Sequence, residues 1–346
     1  MKNRGFISRQ DGLIIKGIAL IMMFFHHFFT FPETYTNVIS YGEWENIFLF
    51  LQQPFKLCVG MFAFLTGYFY FFNSNKSYKY SLKKMSDLWI AYLVVFILFL
   101  IPSLLTKQYE FRLVYFFAEL IGFYREIMVF CWYVLFYYLI MLALPIFSKI
   151  EAKQPILAFA MLAIIPNCLA VFISAFDAGN AFVQILNELI EYAKWLPIVC
   201  SGYFFAKYRF FEILHDFMGN LKITLKILGY ILMVLLPFIA RFESSKFDFI
   251  YVPIFIFSLL ELISLVKTKV ILKPIELIGE YSLAMWFLHC VFFNGLRIYT
   301  QQILYSPRYA ILVLLFGLLI CFIAAVFVTY PIKWLTKFKN KILKWD

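Results

Sequence analysis

A lysine and a histidine in the first apolar run of the chain have a spacing that suits chemistry on a helix. Lys16 and His27 are eleven positions apart, so on an α-helix they lie about 20° apart on one face, with a rise of roughly 16 Å. His26 points about 80° away from that face. An imidazole kept neutral by burial can act as a general base, and an ammonium group binds anions. The pattern suits a ligand with an anionic head at the membrane surface and a reactive end inside; structural hydrogen bonding between helices is the alternative for the histidine.

Three more polar residues lie in apolar runs of helical length. His289 lies about 14 residues into its run, as His27 does, which places both histidines roughly 21 Å above the inner boundary and suggests a shared pocket. Ser282 precedes His289 by seven positions and lies on nearly the same helical face. Lys56 lies in the outer half of the second run. We expect His289 to be catalytic and Ser282 and Lys56 to bind substrate, with packing roles as the alternative.

A basic cluster follows the second apolar run. Lys79, Lys83 and Lys84 lie within six positions of one another. We expect Lys83 and Lys84, together with Lys16, to bind the phosphates of a cofactor from the cytoplasm. The alternative is that this cluster only sets the orientation of the chain in the membrane.

The composition predicts the elements that position these residues. Of 346 residues, 64% are hydrophobic and 15% are charged, against ~45–50% and ~25% in soluble domains, and the mean hydropathy is +0.83. The repeated apolar runs predict an all-α, polytopic membrane helix bundle with about ten transmembrane helices. The predicted spans are residues 13–31, 47–72, 87–106, 128–147, 156–176, 189–206, 223–240, 248–266, 275–296 and 309–332. The apolar stretch 111–124 is interrupted by Arg112 and Glu119 and is interpreted as a re-entrant or interfacial segment.

The distribution of positive charge predicts the orientation. With the N-terminus inside, the inner segments hold a roughly threefold excess of lysine and arginine over the outer loops, as the positive-inside rule expects. Both termini are therefore predicted to be cytoplasmic, and residues 333–346 to form a basic cytoplasmic tail of one domain covering 1–346. This distribution accounts for the net charge of +11 without a nucleic-acid partner.

Other kinds of chemistry have no counterpart in the sequence. The six cysteines are scattered singly in apolar segments, so neither a disulfide framework nor a metal site is expected. The chain contains no P-loop, no G-x-S-x-G and no metal-ligand spacing. These absences argue against ATP-driven pumps and metal-dependent glycosyltransferases.

Four segments, taken together, resemble the acyltransferase-3 family of integral-membrane O-acyltransferases. Lys16-x10-His27, with Gly17 beside the lysine, is similar to the basic-residue-x10-His pattern in the first span of that family. The stretch ending in Thr66-Gly67-Tyr68 resembles a phenylalanine-rich segment that ends in Ser-Gly-Phe/Tyr.

The other two segments follow in the order that the family has. Trp132, Tyr138 and Pro145 are similar to its Trp-Phe-Leu, Tyr and Pro segment. Ser282-x3-Trp286-Phe-Leu-His289 resembles its Ser-x-x-x-Tyr/Trp-Leu-x-His ending.

The resemblance implies a function and a donor. His27 matches the histidine proposed to be catalytic in the family, and acetyl-CoA or a related acyl-CoA is the implied co-substrate. Lys83 and Lys84 stand where the family often has an Arg-x-Arg pair that contacts the coenzyme. The implied acceptor is a hydroxyl of a cell-surface polysaccharide, a lipid-linked sugar or another glycan, at a bacterial plasma membrane.

A rival hypothesis is a lipid-linked-sugar flippase or small-molecule transporter, in which the intramembrane histidines and lysines serve coupling or substrate binding. The two hypotheses differ in whether label from acetyl-CoA reaches a glycan. Membrane lipids are expected as partners under both, and the oligomeric state is left open.

Overall fold

The computed structural model describes residues 5–30, 45–173, 186, 192, 195–266 and 269–345. Helices account for nearly all of these residues, which confirms the all-α fold class. The helices are α1 (Arg9–Phe29), α2 (Glu45–Gln52), α3 (Leu57–Phe72), α4 (Tyr78–Leu105), α5 (Leu113–Leu120), α6 (Trp132–Glu151), α7 (Pro155–Phe159), α8 (Ile165–Ile173), α9 (Leu196–Lys207), α10 (Phe210–Gly219), α11 (Ile223–Glu243), α12 (Asp248–Val266), α13 (Lys269–Leu288), α14 (Arg297–Leu304) and α15 (Ala310–Leu343).

The long helices form because apolar runs in a membrane must satisfy their backbone groups internally. Polar residues mark where two of them begin. Ser8 and Asp11 form a capping box at the start of α1, with side-chain to backbone distances of 2.8 and 3.1 Å. Ser77 accepts a hydrogen bond from the backbone N–H of Tyr80 and caps α4. Each cap satisfies N–H groups that have no partner within the helix.

Within the described part of the chain, eight segments are long and apolar enough to cross a membrane. They are Arg9–Phe29, Asn46–Phe72, Tyr78–Leu105, Trp132–Glu151, Ile223–Glu243, Ser245–Leu265, Leu272–Phe292 and Ala310–Leu343. The predicted spans 156–176 and 189–206 fall on shorter apolar helices, Pro155–Leu169 and Leu196–Lys207, and extend into residues outside the described ranges. The chain is a multi-pass membrane protein, and the count of ten spans stays a prediction.

Two predicted spans contain a break in the α-helix, and one helix continues beyond its predicted span. The span predicted at 47–72 is not one regular helix, because a 3-10 turn at Pro54–Lys56 separates α2 from α3. The span predicted at 275–296 leaves the α-helical form after Leu288, and His289 begins a 3-10 turn. Residues 333–343, predicted as a tail, continue α15, whose 34 residues span about 51 Å, more than the ~30 Å hydrocarbon layer.

The chain divides into two compact units. The first comprises Met1–Thr30, Ile47–Lys76 and Ile146–Glu280, and the second Phe31–Asn46, Ser77–Pro145 and Tyr281–Asp346. The prediction of one domain over residues 1–346 stays a prediction.

Glycines let pairs of helices in the first unit approach closely. Gly17 of α1 lies against the backbone carbonyl of Ile275, and Gly279 of α13 lies against that of Leu13. α3 and α9 cross in the same reciprocal way, through Gly67 and Gly202. Small residues at such crossings allow the backbones of membrane helices to come into contact.

In the second unit, the short helix α5 packs along α4. Tyr92 donates its hydroxyl hydrogen to the carbonyl of Glu119 at 2.6 Å, and Trp89 donates its indole N–H to that of Leu120 at 2.9 Å. The rings of Phe96 and Phe116 are 6.0 Å apart. The interpretation of residues 111–124 as a re-entrant or interfacial segment stays a prediction.

Candidate functional site

The first pair of candidate residues lies on one unbroken helix. α1 contains both Lys16 and His27, so the predicted angle of about 20° and rise of roughly 16 Å apply to them. Both residues are half-buried, while most of the apolar residues between them are buried. The helix therefore holds an ammonium group and an imidazole along one partly accessible face.

The neighbouring histidine has a structural contact that distinguishes it from His27. His26 donates its Nδ1–H to the carbonyl of Gln52 at 2.7 Å, and the hydroxyl of Thr30 lies 3.0 Å from the same nitrogen. Gln52 is the last residue of α2, where backbone carbonyls have no partner within the helix. His26 thus closes the end of α2, while His27 points about 100° away from it around α1.

A buried ion pair supports the next residue of the same junction. Arg241 donates Nη1–H to the carbonyl of Gln53 at 2.8 Å and contacts the Asp248 carboxylate at 3.0 to 3.2 Å. The side chains of this pair are each 3% exposed. The sequence does not predict this pair, because an arginine and an aspartate seven positions apart at a predicted outer loop look like solvated charges. Lys56 lies in the turn that this network supports, and it is exposed.

The N-terminal segment is bound to the second motif of the chain. Tyr68, beside Gly67, accepts a hydrogen bond from the backbone N–H of Ile7 at 3.1 Å. A side chain at Gly12 would meet the ring of Phe69. The start of the chain and α1 are therefore in contact with α3 at the second motif segment, which positions the helix that carries Lys16 and His27.

The other two motif segments meet in the second unit. His289 is fully buried, donates its Nδ1–H to the carbonyl of Trp286, and stacks on Phe130 with a ring-centre distance of 5.6 Å. Trp286 also makes an edge contact with Tyr133 at 5.7 Å. The imidazole of His289 is consequently held in one orientation by a backbone carbonyl and an aromatic face.

Glu119, which was not among the predicted site residues, holds the segment before Phe130 through hydrogen bonds to its backbone. Glu119 Oε1 accepts hydrogen bonds from the backbone N–H groups of Ile127 and Met128, the latter at 3.2 Å. Asn294, just beyond His289, donates to the carbonyl of Ile127 at 3.0 Å. In the sequence, the only signal was a charge that interrupted an apolar stretch.

The protonation of Glu119 is shifted by its surroundings. Glu119 is fully buried and lies outside the eight candidate spans. Burial raises its pKa to about 7, against the opposing effect of the N–H groups of Ile127 and Met128. Its Oε2 has no hydrogen-bond partner among the described residues. The carboxyl group is therefore close to half-protonated at neutral pH.

The remaining candidates also lie in the second unit. Lys83 donates to the backbone carbonyl of Trp345, and the ammonium group of Lys84 lies 5.7 Å from the centre of the Tyr80 ring. Ser282 is buried on α13, two turns before His289. These contacts give the surroundings of Lys83, Lys84 and Ser282. The binding roles predicted for them stay predictions.

The predicted site residues are divided between the two units. Lys16, His27 and Lys56 belong to the first unit, and Lys83, Lys84, Ser282 and His289 belong to the second. Within the first, one helix face carries a lysine and a histidine eleven positions apart. Within the second, a fixed imidazole lies in an aromatic environment.

Comparison with known proteins gives one match. A family model described as an acyltransferase domain matches residues 14–330, which is most of the chain. Comparison with curated proteins and with solved structures gave no match.

Proposed function

The chain belongs to the acyltransferase-3 family and is a membrane acyltransferase, and from this premise we propose that it moves an acyl group from cytoplasmic acyl-CoA to a hydroxyl of a glycan. Acetyl-CoA is the proposed donor. The proposed acceptor is a cell-surface polysaccharide or a lipid-linked sugar at the plasma membrane of a bacterium. His27 is the proposed general base.

One observation carries this proposal: Lys16 and His27 lie along one half-buried face of a continuous helix. An acyl-CoA has phosphate groups at one end and a thioester at the other. A cation binds the first, and a base is needed where the second reacts. The rise of roughly 16 Å along α1 separates these two requirements.

The proposed reaction requires a proton acceptor at the hydroxyl. His27 takes the proton of the acceptor hydroxyl as its oxygen attacks the thioester carbonyl. The new C–O bond forms, the C–S bond breaks, and the coenzyme thiolate leaves. Protonated His27 then returns its proton to the thiolate, so that the products are the ester and free coenzyme A, and the base is regenerated.

The other predicted site residues have proposed roles in the same reaction. Lys16, Lys83 and Lys84 are proposed to contact the coenzyme phosphates, since an ammonium group is a compact partner for phosphate. Lys56 and Ser282 are proposed to contact the substrate, and His289 to be a second catalytic histidine. The orientation of His289 by the Trp286 carbonyl supports this role, because a catalytic imidazole needs a defined tautomer.

The test compares two adjacent histidines. Membranes that contain the wild type, His27→Gln or His26→Gln are incubated with radiolabelled acetyl-CoA, and the label in the glycan fraction and the release of coenzyme A thiol are measured. Loss of the base is expected to reduce transfer about 10²–10⁴-fold in His27→Gln. His26→Gln keeps a side-chain N–H that can donate to the carbonyl of Gln52, so it is expected to lower thermal stability by at most ~1 kcal/mol and to retain transfer per folded molecule.

Wild-type transfer by His27→Gln would contradict its role as base. Movement of a lipid-linked sugar across the membrane without any label in the glycan would support the transporter hypothesis instead. Expression and membrane insertion of each variant are measured first, so that loss of protein is not taken for loss of chemistry.

A further inference from the structure

A groove lies between α4 and α15 in the second unit. Its volume is about 420 Å³, and its walls are almost entirely apolar. α4 contributes one helical stripe, Ile90, Leu93, Val94 and Ile97. α15 contributes a second stripe that includes Leu335, Phe338 and Ile342. Many of these side chains are exposed, so the groove opens at the surface of the unit along two helices that both count as candidate spans.

Positive charge is concentrated around Lys339, in the two chain segments at the start of α4 and the end of α15. Lys339, which also lines it, contacts the Asp87 carboxylate at 2.5 Å and the hydroxyl of Ser86 at 2.8 Å. Lys83 is one turn before Asp87 on α4. Residues 77–87 and 333–345 together carry one acidic residue, Asp87, and eight lysines: Lys79, Lys83, Lys84, Lys333, Lys337, Lys339, Lys341 and Lys344. The single carboxylate leaves a large excess of positive charge there.

An aromatic stripe gives the level of this groove in the membrane. Tyr330, Trp334 and Phe338 follow one another at intervals of four on α15 and are 78%, 60% and 53% exposed. The rings of Trp334 and Phe338 stack at 5.8 Å. Exposed tyrosine and tryptophan are typical of the membrane–water interface, and the lysines beyond them are typical of the cytoplasmic side. The groove therefore straddles the inner boundary of the membrane.

From these features we propose that the α4–α15 groove is a binding site for an anionic phospholipid of the cytoplasmic leaflet. An acyl chain of the lipid lies between the two apolar stripes, and its phosphate lies among the lysines near Lys83 and Lys339. Basic pockets between helices on the cytoplasmic side bind anionic headgroups in this way. The apolar walls accept any acyl chain, so the lysines provide the preference for a net negative headgroup over a zwitterionic one. Lys83 is also proposed to contact the coenzyme phosphates, so the lipid phosphate and the coenzyme compete for that one residue, whereas the apolar part of the site is separate from acyl transfer.

The experiment measures which lipid the full-length protein retains. The purified protein is exchanged into nanodiscs with equal amounts of phosphatidylglycerol and phosphatidylcholine, released into detergent, and analysed by native mass spectrometry. Two lysines near the headgroup predict a preference for phosphatidylglycerol on the order of tenfold. The preference is expected to decrease with added salt, because exposed charges are screened.

Two variants test the two parts of the site. The double variant Lys83→Gln with Lys339→Gln is expected to lose the preference while still retaining lipid. Leu93→Trp fills the groove and is expected to reduce retention of both lipids. The matched controls are at the start of α11 and on α11 in the first unit: Lys222→Gln with Lys226→Gln for charge, and Leu232→Trp on an exposed apolar face. Both controls are expected to behave as the wild type.

Four results would overturn the proposal. The first is equal retention of the two lipids by the wild type, and the second is a preference that survives the double lysine variant. The third is a wild-type dimer that Leu93→Trp converts to a monomer, which would assign the groove to a second copy of the chain. The fourth is displacement of both phosphatidylglycerol and phosphatidylcholine by coenzyme A, which would assign the whole groove, including its apolar walls, to the acyl donor. Failure of acyl transfer in the His27→Gln assay changes none of these readouts, so the two proposals are tested separately.

Discussion

Replacement of Gly279 by alanine tests whether close contact between α1 and α13 positions the helix that carries Lys16 and His27. A methyl group at Gly279 would overlap the carbonyl oxygen of Leu13 and lie 2.7 Å from its carbonyl carbon. Carbon atoms in contact are normally about 3.5–4.0 Å apart. The two backbones must therefore separate by about 1 Å, and no flexible side chain is present at that point to move instead.

The size of the effect follows from two opposing terms. In the interior of a helix, replacing glycine by alanine is otherwise favourable by roughly 0.5–1 kcal/mol. Overpacking costs typically ~1–3 kcal/mol, and a backbone carbonyl cannot adapt by changing rotamer. We expect a net loss of ~1–2 kcal/mol and a decrease of a few degrees in the midpoint of thermal unfolding. The assay is thermal unfolding in detergent, followed by tryptophan fluorescence, together with acyl transfer at a temperature where both proteins are folded.

Gly219→Ala is the matched control, because nothing lies within 4 Å of a methyl group at that helical glycine. It is expected to be as stable as the wild type or slightly more stable. If Gly279→Ala were equally harmless, the close approach of α13 to α1 would have no energetic importance, and the positioning of Lys16 and His27 through this crossing would be refuted. Reduced transfer at full folding is expected for Gly279→Ala, because the shift falls within one turn of Lys16.

Two more predictions concern buried charges. Asp248→Ala leaves Arg241 buried without its partner, which is expected to lower the free energy of unfolding by ~3–5 kcal/mol. If this variant unfolded no more easily than the wild type, the pair would not be buried in the native protein. The pKa of Glu119 is raised from 4.5 to about 7 in the folded state, so the folded state binds its proton more tightly than the unfolded state does. Its contribution is complete below about pH 4.5 and is lost as the pH rises toward 7, by up to ~3 kcal/mol. Glu119→Gln, which cannot ionise, is expected to remove that slope from thermal unfolding measured between pH 4.5 and 7.5, and an unchanged slope would contradict the raised pKa.

The fold class was predictable because the dominant constraint is local. A membrane span needs about 20 apolar residues whatever the rest of the chain does, and hydropathy along the chain measures this directly. Breaks inside the spans were not predictable in the same way. The turn at Pro54–Lys56 depends on carbonyl contacts from His26 and Arg241, which are distant in sequence and become neighbours only on folding.

The candidate site was predictable to the extent that it depends on one helix. The relation between Lys16 and His27 follows from helical periodicity alone, and α1 is continuous over both. Glu119 was not found, because its importance lies in the backbone N–H groups of Ile127 and Met128. A sequence does not show which backbone N–H groups a side chain will contact. A carboxylate that accepts hydrogen bonds from them therefore looks like any other charge in an apolar stretch.

The two motif glycines show how a structural requirement and a chemical one coexist in one segment. Gly17 is adjacent to Lys16, and Gly67 is adjacent to Tyr68. Both lie where another helix presents a backbone carbonyl, which no other residue type permits without separating the helices. Each of the first two motif segments therefore has a glycine that allows helix contact, Gly17 or Gly67. Next to it is a polar residue, Lys16 or Tyr68, whose position depends on that contact.

The adjacent histidines show how a structural role and a proposed chemical role can be divided between neighbouring residues. On a helix they point about 100° apart, so they face different surroundings although they are neighbours in sequence. His26 already donates to the carbonyl of Gln52, a task that any side chain with a suitably placed N–H can perform. A base must instead accept a proton, and among common side chains imidazole does this most readily near neutral pH. Substitution of His26 by glutamine should consequently be tolerated, whereas the same substitution at His27 is predicted to remove the proposed base.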